Sequence, residues 1–93
     1  MWSQYTSKIG NQLGIQRKTE ENAEKIVEAA KKADLCSGKN PVSMAAAAIY
    51  IASKITGEKK TQHEIARIAH VTELTIRNRC KELKEKLLFV ITL

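Results

Sequence analysis

Apolar positions in this chain fall into five runs, each closed by a short polar or glycine-containing break. Trp2, Tyr5, Ile9 and Leu13 recur at spacings of three or four, one stripe of a helix over about residues 2–14. Gly10 weakens that helix, and Gly14 supplies its stop. A second helix is expected to start near Thr19, with Glu20 and Glu21 in the first turn, where acids suit the helix dipole. Ala23, Ile26, Val27, Ala30 and Ala33 make its buried face, and Glu24, Lys25, Glu28, Lys31 and Lys32 its wet one. It ends near Leu35, and Ser37-Gly38-Lys39-Asn40 reads as a loop.

The third run differs. Pro41 stands at the first helical position with Asn40 as cap, and VSMAAAAIYIAS follows. Apolar residues occupy nearly every face, which predicts a helix surrounded by others, and four consecutive alanines let neighbours approach closely. Gly57 ends it, and Glu58-Lys59-Lys60 form a polar turn. Thr61-x-x-Glu64 is a capping box opening a fourth helix, with Ile65, Ala66, Ile68 and Ala69 as its apolar contacts. After His70 and Val71, Thr72 caps a fifth helix running to about residue 88. Only the terminal LLFVITL has any strand character. The fold class expected is all-α: one domain over residues 1–93, five helices, the third at the centre.

Residues 61–88 then form a helix-turn-helix, with Ala66 where close packing needs a small side chain and Val71 as an apolar plug. His70 takes the place where many such turns have glycine. At about 100° per residue, with Leu74 as zero, Arg77 falls near 300°, Asn78 near 40° and Lys81 near 340°. Ile76, Cys80, Leu83 and Leu87 cluster at roughly 180° to 240° on the opposite face. An outward face of this kind suits a DNA major groove. Arg77 can donate a bidentate pair to guanine, Asn78 can pair with adenine, Leu74 can meet a thymine methyl, and Lys81 can reach phosphate. The same spacing also fits an amphipathic helix whose solvated face is merely cationic.

Composition changes this picture little. Ninety-three residues suit a single core, and with 4% aromatic residues that core must be aliphatic and alanine-rich. The net charge of +6 favours an anionic partner. The charge is not concentrated, since residues 1–56 and 57–93 each hold eight Lys/Arg against five Asp/Glu. No apolar run approaches a membrane span, and MWSQYTSK lacks the apolar segment of a signal peptide, so an intracellular protein is expected. Cys36 and Cys80 belong to no metal-ligand pattern and read as reduced packing residues. His63 and His70 are not at HExxH spacing, Ser43 and Ser53 have no GxSxG context, and no glycine-rich phosphate loop is present. No catalysis, cofactor or metal is expected.

The stretches GKNPVSMAAAAIYIAS and EKKTQHEIARIAHVTELTIRNRCKEL resemble the second cyclin-type repeat of the transcription factor IIB family, archaeal factor B in particular. That family carries a similar SP-x-x-x-AAAA-x-Y-x-AS helix, a KRTQ-x-E-I-A opening and a VT-x-x-TIRNR recognition helix. The resemblance is strong over residues 38–83 and continues more weakly through YTSKIGNQLGI. It implies a five-helix cyclin-like repeat that reads the B-recognition element beside a TATA box and works with the TATA-binding protein and RNA polymerase. Leu74 and Arg77 fall at base-contacting positions, with Thr75, Asn78 and Arg79 in the same motif. Lys39, Lys60 and Thr61 match positions expected at the DNA backbone, and Thr75, Arg79 and Lys81 are expected to contact it as well. Asn40 departs from the family's serine, and Cys80 from an aromatic, leaving less volume under helix five. The family's first repeat and zinc ribbon have no counterpart in this sequence, so modest independent affinity is expected. An archaeal cytoplasm or a nucleus would be the setting.

Two other functions compete. A cyclin-like repeat could bind a peptide or partner helix and never touch DNA. A free-standing helix-turn-helix repressor would need a dimer interface, which LLFVITL could supply. A monomer is the expectation.

Overall fold

The computed structural model describes residues 2–35 and 38–87, the side chains of Trp2 and Ser3 excepted. Five α-helices follow one another: α1 Trp2–Leu13, α2 Arg17–Lys32, α3 Pro41–Thr56, α4 Gln62–Ala69 and α5 Glu73–Lys86. No strand occurs among the described residues. The place of Trp2 on the first stripe, the packing of Cys36 and the apolar tail from residue 88 lie outside them.

Helix α3 is the axis of the fold. Ala45, Ala46, Ala47, Ala48 and Ile49 are all fully buried, and α1, α2, α4 and α5 each pack against it. A methyl is the largest group these alanines place between backbones, so several helices can sit close to α3 at once. Asn40 caps it, its Oδ1 accepting from the Val42 N–H at 2.8 Å, with Pro41 at the first position. Gly57, at φ 81°, ends it in the left-handed region.

Three other helices end by one device. In each, a residue at positive φ is followed by an apolar residue whose N–H returns to a carbonyl five positions earlier. Ile15 donates to Gly10 (3.2 Å), Leu35 to Ala30 (2.9 Å) and Val71 to Ala66 (3.1 Å). The left-handed residues are Gly14, Asp34 and His70. This is the Schellman geometry, and the accepting residue is small each time, with the apolar residue lying against the core. Gly10 is therefore no flaw in α1: a Cβ there would stand 2.9 Å from Ile15 Cδ1. The same motif corrects the expected end of α2. The helix stops at Lys32, and Ala33, assigned above to the buried face, is an exposed C-cap.

The start of α2 also differs from expectation. It begins at Arg17, two positions before Thr19, and its N-cap Gln16 provides no side-chain bond. The cap comes from the other end of the fold. The Glu58 carboxylate accepts the Gln16 N–H at 3.0 and 3.1 Å and also the Thr19 hydroxyl. Thr19, fully buried, lies 2.6 Å from Thr56 Oγ1. An acid in the α3–α4 turn thus serves the positive end of α2.

The inner face of α5 is Ile76, Cys80 and Leu83, continued by the C-cap Leu87, all buried, as the periodicity predicts. Cys80 is a free thiol whose Sγ lies 3.6 Å from the Ala47 carbonyl. Burial pushes this thiol up to about 12 from an ordinary 9.0, while Lys84 and Lys54 pull slightly the other way.

Two outcomes are expected. Glu58→Ala should cost about 1–2 kcal/mol in urea unfolding, the range for losing a cap and its charge-assisted bonds. Because the folded thiol holds its proton longer than the unfolded one, its contribution is complete below pH 9 and declines as pH rises from about 9 toward 12. The decline is at most about 1.4 kcal/mol per pH unit, and a Cys80→Ala chain should lack it when the two are melted side by side.

Candidate nucleic-acid interface

Three ends of the last two helices are fixed: the start and finish of α4 and the start of α5. Thr61 Oγ1 accepts from the Glu64 N–H at 3.1 Å, and Glu64 Oε1 accepts from the Thr61 N–H at 3.0 Å, completing the expected capping box. That backbone hydrogen bond holds the Glu64 carboxyl below its ordinary 4.5; the Thr61 hydroxyl, Lys60 and His63 add to the effect, and partial desolvation opposes it. His70 closes α4 at φ 59° and ψ 42°, the left-handed conformation expected for it. Thr72 caps α5, accepting from the Thr75 N–H at 3.1 Å, and its hydroxyl lies 2.8 Å from that of Thr75. His63 Nδ1 stands 3.0 Å from Glu73 Oε2, joining the starts of the two helices. No sequence pattern pairs these two residues, ten positions apart.

On α5, Leu74 is 59% exposed, the most exposed large apolar side chain among the described residues. Arg77, Asn78 and Lys81 share its face, exposed and without a hydrogen-bond or ion-pair partner among the described residues. One apolar contact, one forked donor, one amide and one ammonium are thus presented together by a helix whose other face is locked in the core.

The expected backbone-contacting residues divide into two groups. Lys60 and Thr61, at the start of α4, border an open cleft of about 800 Å³. Tyr50, Lys54, Lys59 and His63 also line it, and Lys54 Nζ lies 5.1 Å from the centre of the Tyr50 ring. Lys54 and Lys59 extend positive charge beyond the residues the sequence singled out. Lys39 and Arg79 lie on another flank and are both engaged. Lys39 Nζ is 3.0 Å from Glu82 Oε2, and Arg79 Nε is 2.8 Å from Glu82 Oε1. Thr75, between them and the exposed face that carries Leu74, Arg77 and Asn78, is half-buried and tied to its cap. Glu82 lies outside the family motif, although its place three residues after Arg79 is a visible pairing signal. Its bond to Lys39 spans 43 positions and has no such signal.

Among the described residues no group of three or more His, Cys, Asp or Glu could hold a metal, and no helix is long and apolar enough to cross a membrane.

These features define an all-α, five-helix repeat that ends in a helix-turn-helix. The family model for the transcription factor TFIIB repeat matches residues 3–86, and the chain belongs to that family, whose cyclin-like fold the five helices reproduce. It is 51% identical over 84 residues to transcription initiation factor IIB 2 of Thermococcus kodakarensis, covering 90% of this chain and 28% of that protein. It is 52% identical over 83 residues to transcription initiation factor IIB of Pyrococcus abyssi, covering 89% and 28%. The factor of Saccharolobus shibatae is 48% identical over 83 residues, covering 89% and 27%. The chain thus spans little more than a quarter of the length of these relatives.

Thr61→Ala should destabilise the chain by about 0.5–2 kcal/mol in thermal or urea unfolding. With its carboxyl held below 4.5, Glu64 contributes fully above that pH and less as pH falls through the folded value. Glu64→Gln should therefore show a smaller loss of melting temperature on acidification than the unaltered chain.

Proposed function

We propose that this chain is a non-catalytic, sequence-specific DNA-binding module of a basal transcription initiation factor. The carrying observation is the unpartnered outward face of α5, with Leu74, Arg77, Asn78 and Lys81 presented by a helix capped at Thr72 and packed on α3. Leu74, Arg77 and Asn78 read bases in the major groove, and Lys81, Lys60 and Thr61 meet the sugar-phosphate backbone. Thr75 holds the first turn of α5 in register. Lys39 and Arg79 flank the contact, their charge shared with Glu82.

Membership of the TFIIB repeat family supports the promoter as the setting. The target is the B-recognition element next to the TATA box, read as a monomer. In a longer factor of the kind its relatives represent, the same module assembles with the TATA-binding protein and RNA polymerase. The location is intracellular, the cytoplasm in an archaeon. The rival reading, a protein-binding cyclin-like repeat, needs an apolar groove between helices. The crevice between α1 and α4, lined by Tyr5, Ile9, Val42 and Ile68, has about 220 Å³ and suits a side chain, not a helix roughly 10 Å across. The larger cleft is bordered by Lys54, Lys59 and Lys60 against Glu58 and Glu73, a net positive lining that favours a polyanion.

Fluorescence anisotropy with a duplex carrying the B-recognition element and with a scrambled duplex, each at several salt concentrations, tests the reading. Arg77→Ala is expected to lose about 1–3 kcal/mol on the recognition element, with relaxed base preference. Equal affinity for both duplexes, unchanged by Arg77→Ala, would overturn it.

A further inference from the structure

We propose that Glu82 is an electrostatic restraint on the DNA interface, holding Lys39 and Arg79 away from phosphate. This rests on the DNA-binding reading and adds a residue that neither the sequence pattern nor the family resemblance assigns. One carboxylate joins cations from two elements: Lys39 in the loop before α3, at 3.0 Å, and Arg79 on α5, at 2.8 Å. The Arg79 Nε and Glu82 Oε1 atoms are closed to solvent and 2.8 Å apart, a charge contact that falls short of hydrogen-bond geometry, and neither has a hydrogen-bond partner among the described residues. The three side chains nevertheless keep 30%, 23% and 36% exposure for Lys39, Arg79 and Glu82, so their outer atoms border the surface. The crevice beside them, about 210 Å³, also holds Asp34 and Lys86.

Around α5, Glu82 stands about 80° from Leu74, at the margin of the reading face. A carboxylate there repels an approaching phosphate and competes with it for both cations. Affinity for the DNA backbone depends on cations that release condensed counterions, and a cation already paired releases fewer. Lys39 has three N–H donors and Arg79 five, so each retains donors for phosphate once Glu82 lets go. With Glu82 charged, the interface makes fewer phosphate contacts than its cations allow. Sequence-independent attraction stays low, and base contacts carry a larger share of the binding.

The test measures the slope of log affinity against log salt for the 93-residue chain, on the recognition-element duplex and on the scrambled one. Glu82→Gln keeps size and removes charge. It should bind both duplexes more tightly at low salt, with a slope steeper by roughly 0.9 for each cation released, up to two. Lys39→Ala should flatten the slope in the Glu82→Gln background and leave it nearly unchanged in the unaltered chain. A slope that stays equal or becomes shallower in Glu82→Gln overturns the proposal, as does an equal effect of Lys39→Ala in both backgrounds. If the unaltered chain binds neither duplex, the DNA-binding reading fails first and this inference with it. A circular-dichroism melt of Glu82→Gln separates either result from unfolding. Loss of the fold in that variant would make Glu82 a structural residue and also overturn the proposal.

Discussion

Everything in this fold depends on how closely helices can approach α3. A helix with bulky side chains all round holds its neighbours at arm's length and has few of them. Four alanines with no exposed surface leave room for α1, α2, α4 and α5 to pack against one helix of sixteen residues. Larger side chains fill the remaining space: Met44, Ile49 and Ile51 from α3 itself, Ile26 from α2, Ile65 from α4, and Ile76 and Leu83 from α5. A 93-residue chain with few aromatics thereby obtains a continuous aliphatic core. Cys80 belongs to the same economy of volume, since its small side chain lets α5 lie against the Ala47 backbone.

From that core the surface inherits its rigidity. Helix α5 is seated by four buried residues on one face and capped by Thr72, so its outward side chains project from a fixed platform. The turn before it is equally determined, because Val71 returns to Ala66 and His70 accepts a conformation that favours glycine. Charge on the surface is arranged in two ways. Arg77 and Lys81 stand open, whereas Lys39 and Arg79 are gathered by one acid. Counting basic residues would treat these four alike, and their surroundings make them different.

Much of this was legible along the chain because it depends on short-range chemistry. The central helix, its Asn40-Pro41 start, the Thr61 and Thr72 caps and the two faces of α5 all follow from residues within one or two turns of each other. What escaped has two physical causes. One is left-handed backbone carried by a residue other than glycine: Asp34 ends α2 early and leaves Ala33 in water, although periodicity alone puts that alanine inside. The other is a polar bond between residues distant in sequence. Glu58 capping α2, and Lys39 meeting Glu82, require the third dimension to bring partners together. The TFIIB resemblance places its expected base-contacting residues on what proves to be the exposed face of α5, and it is silent on both acids.

The turn between α3 and α4 has a further significance. Glu58 reaches back to the start of α2, and three residues later Thr61 begins α4, with only Lys59 and Lys60 between them. Surface loops ordinarily absorb insertions and deletions because nothing measures their length. This one is a ruler, since adding or removing a single residue would either pull the carboxylate from α2 or rotate α4 out of its seat. The number of residues separating Glu58 from Thr61 therefore has almost no latitude.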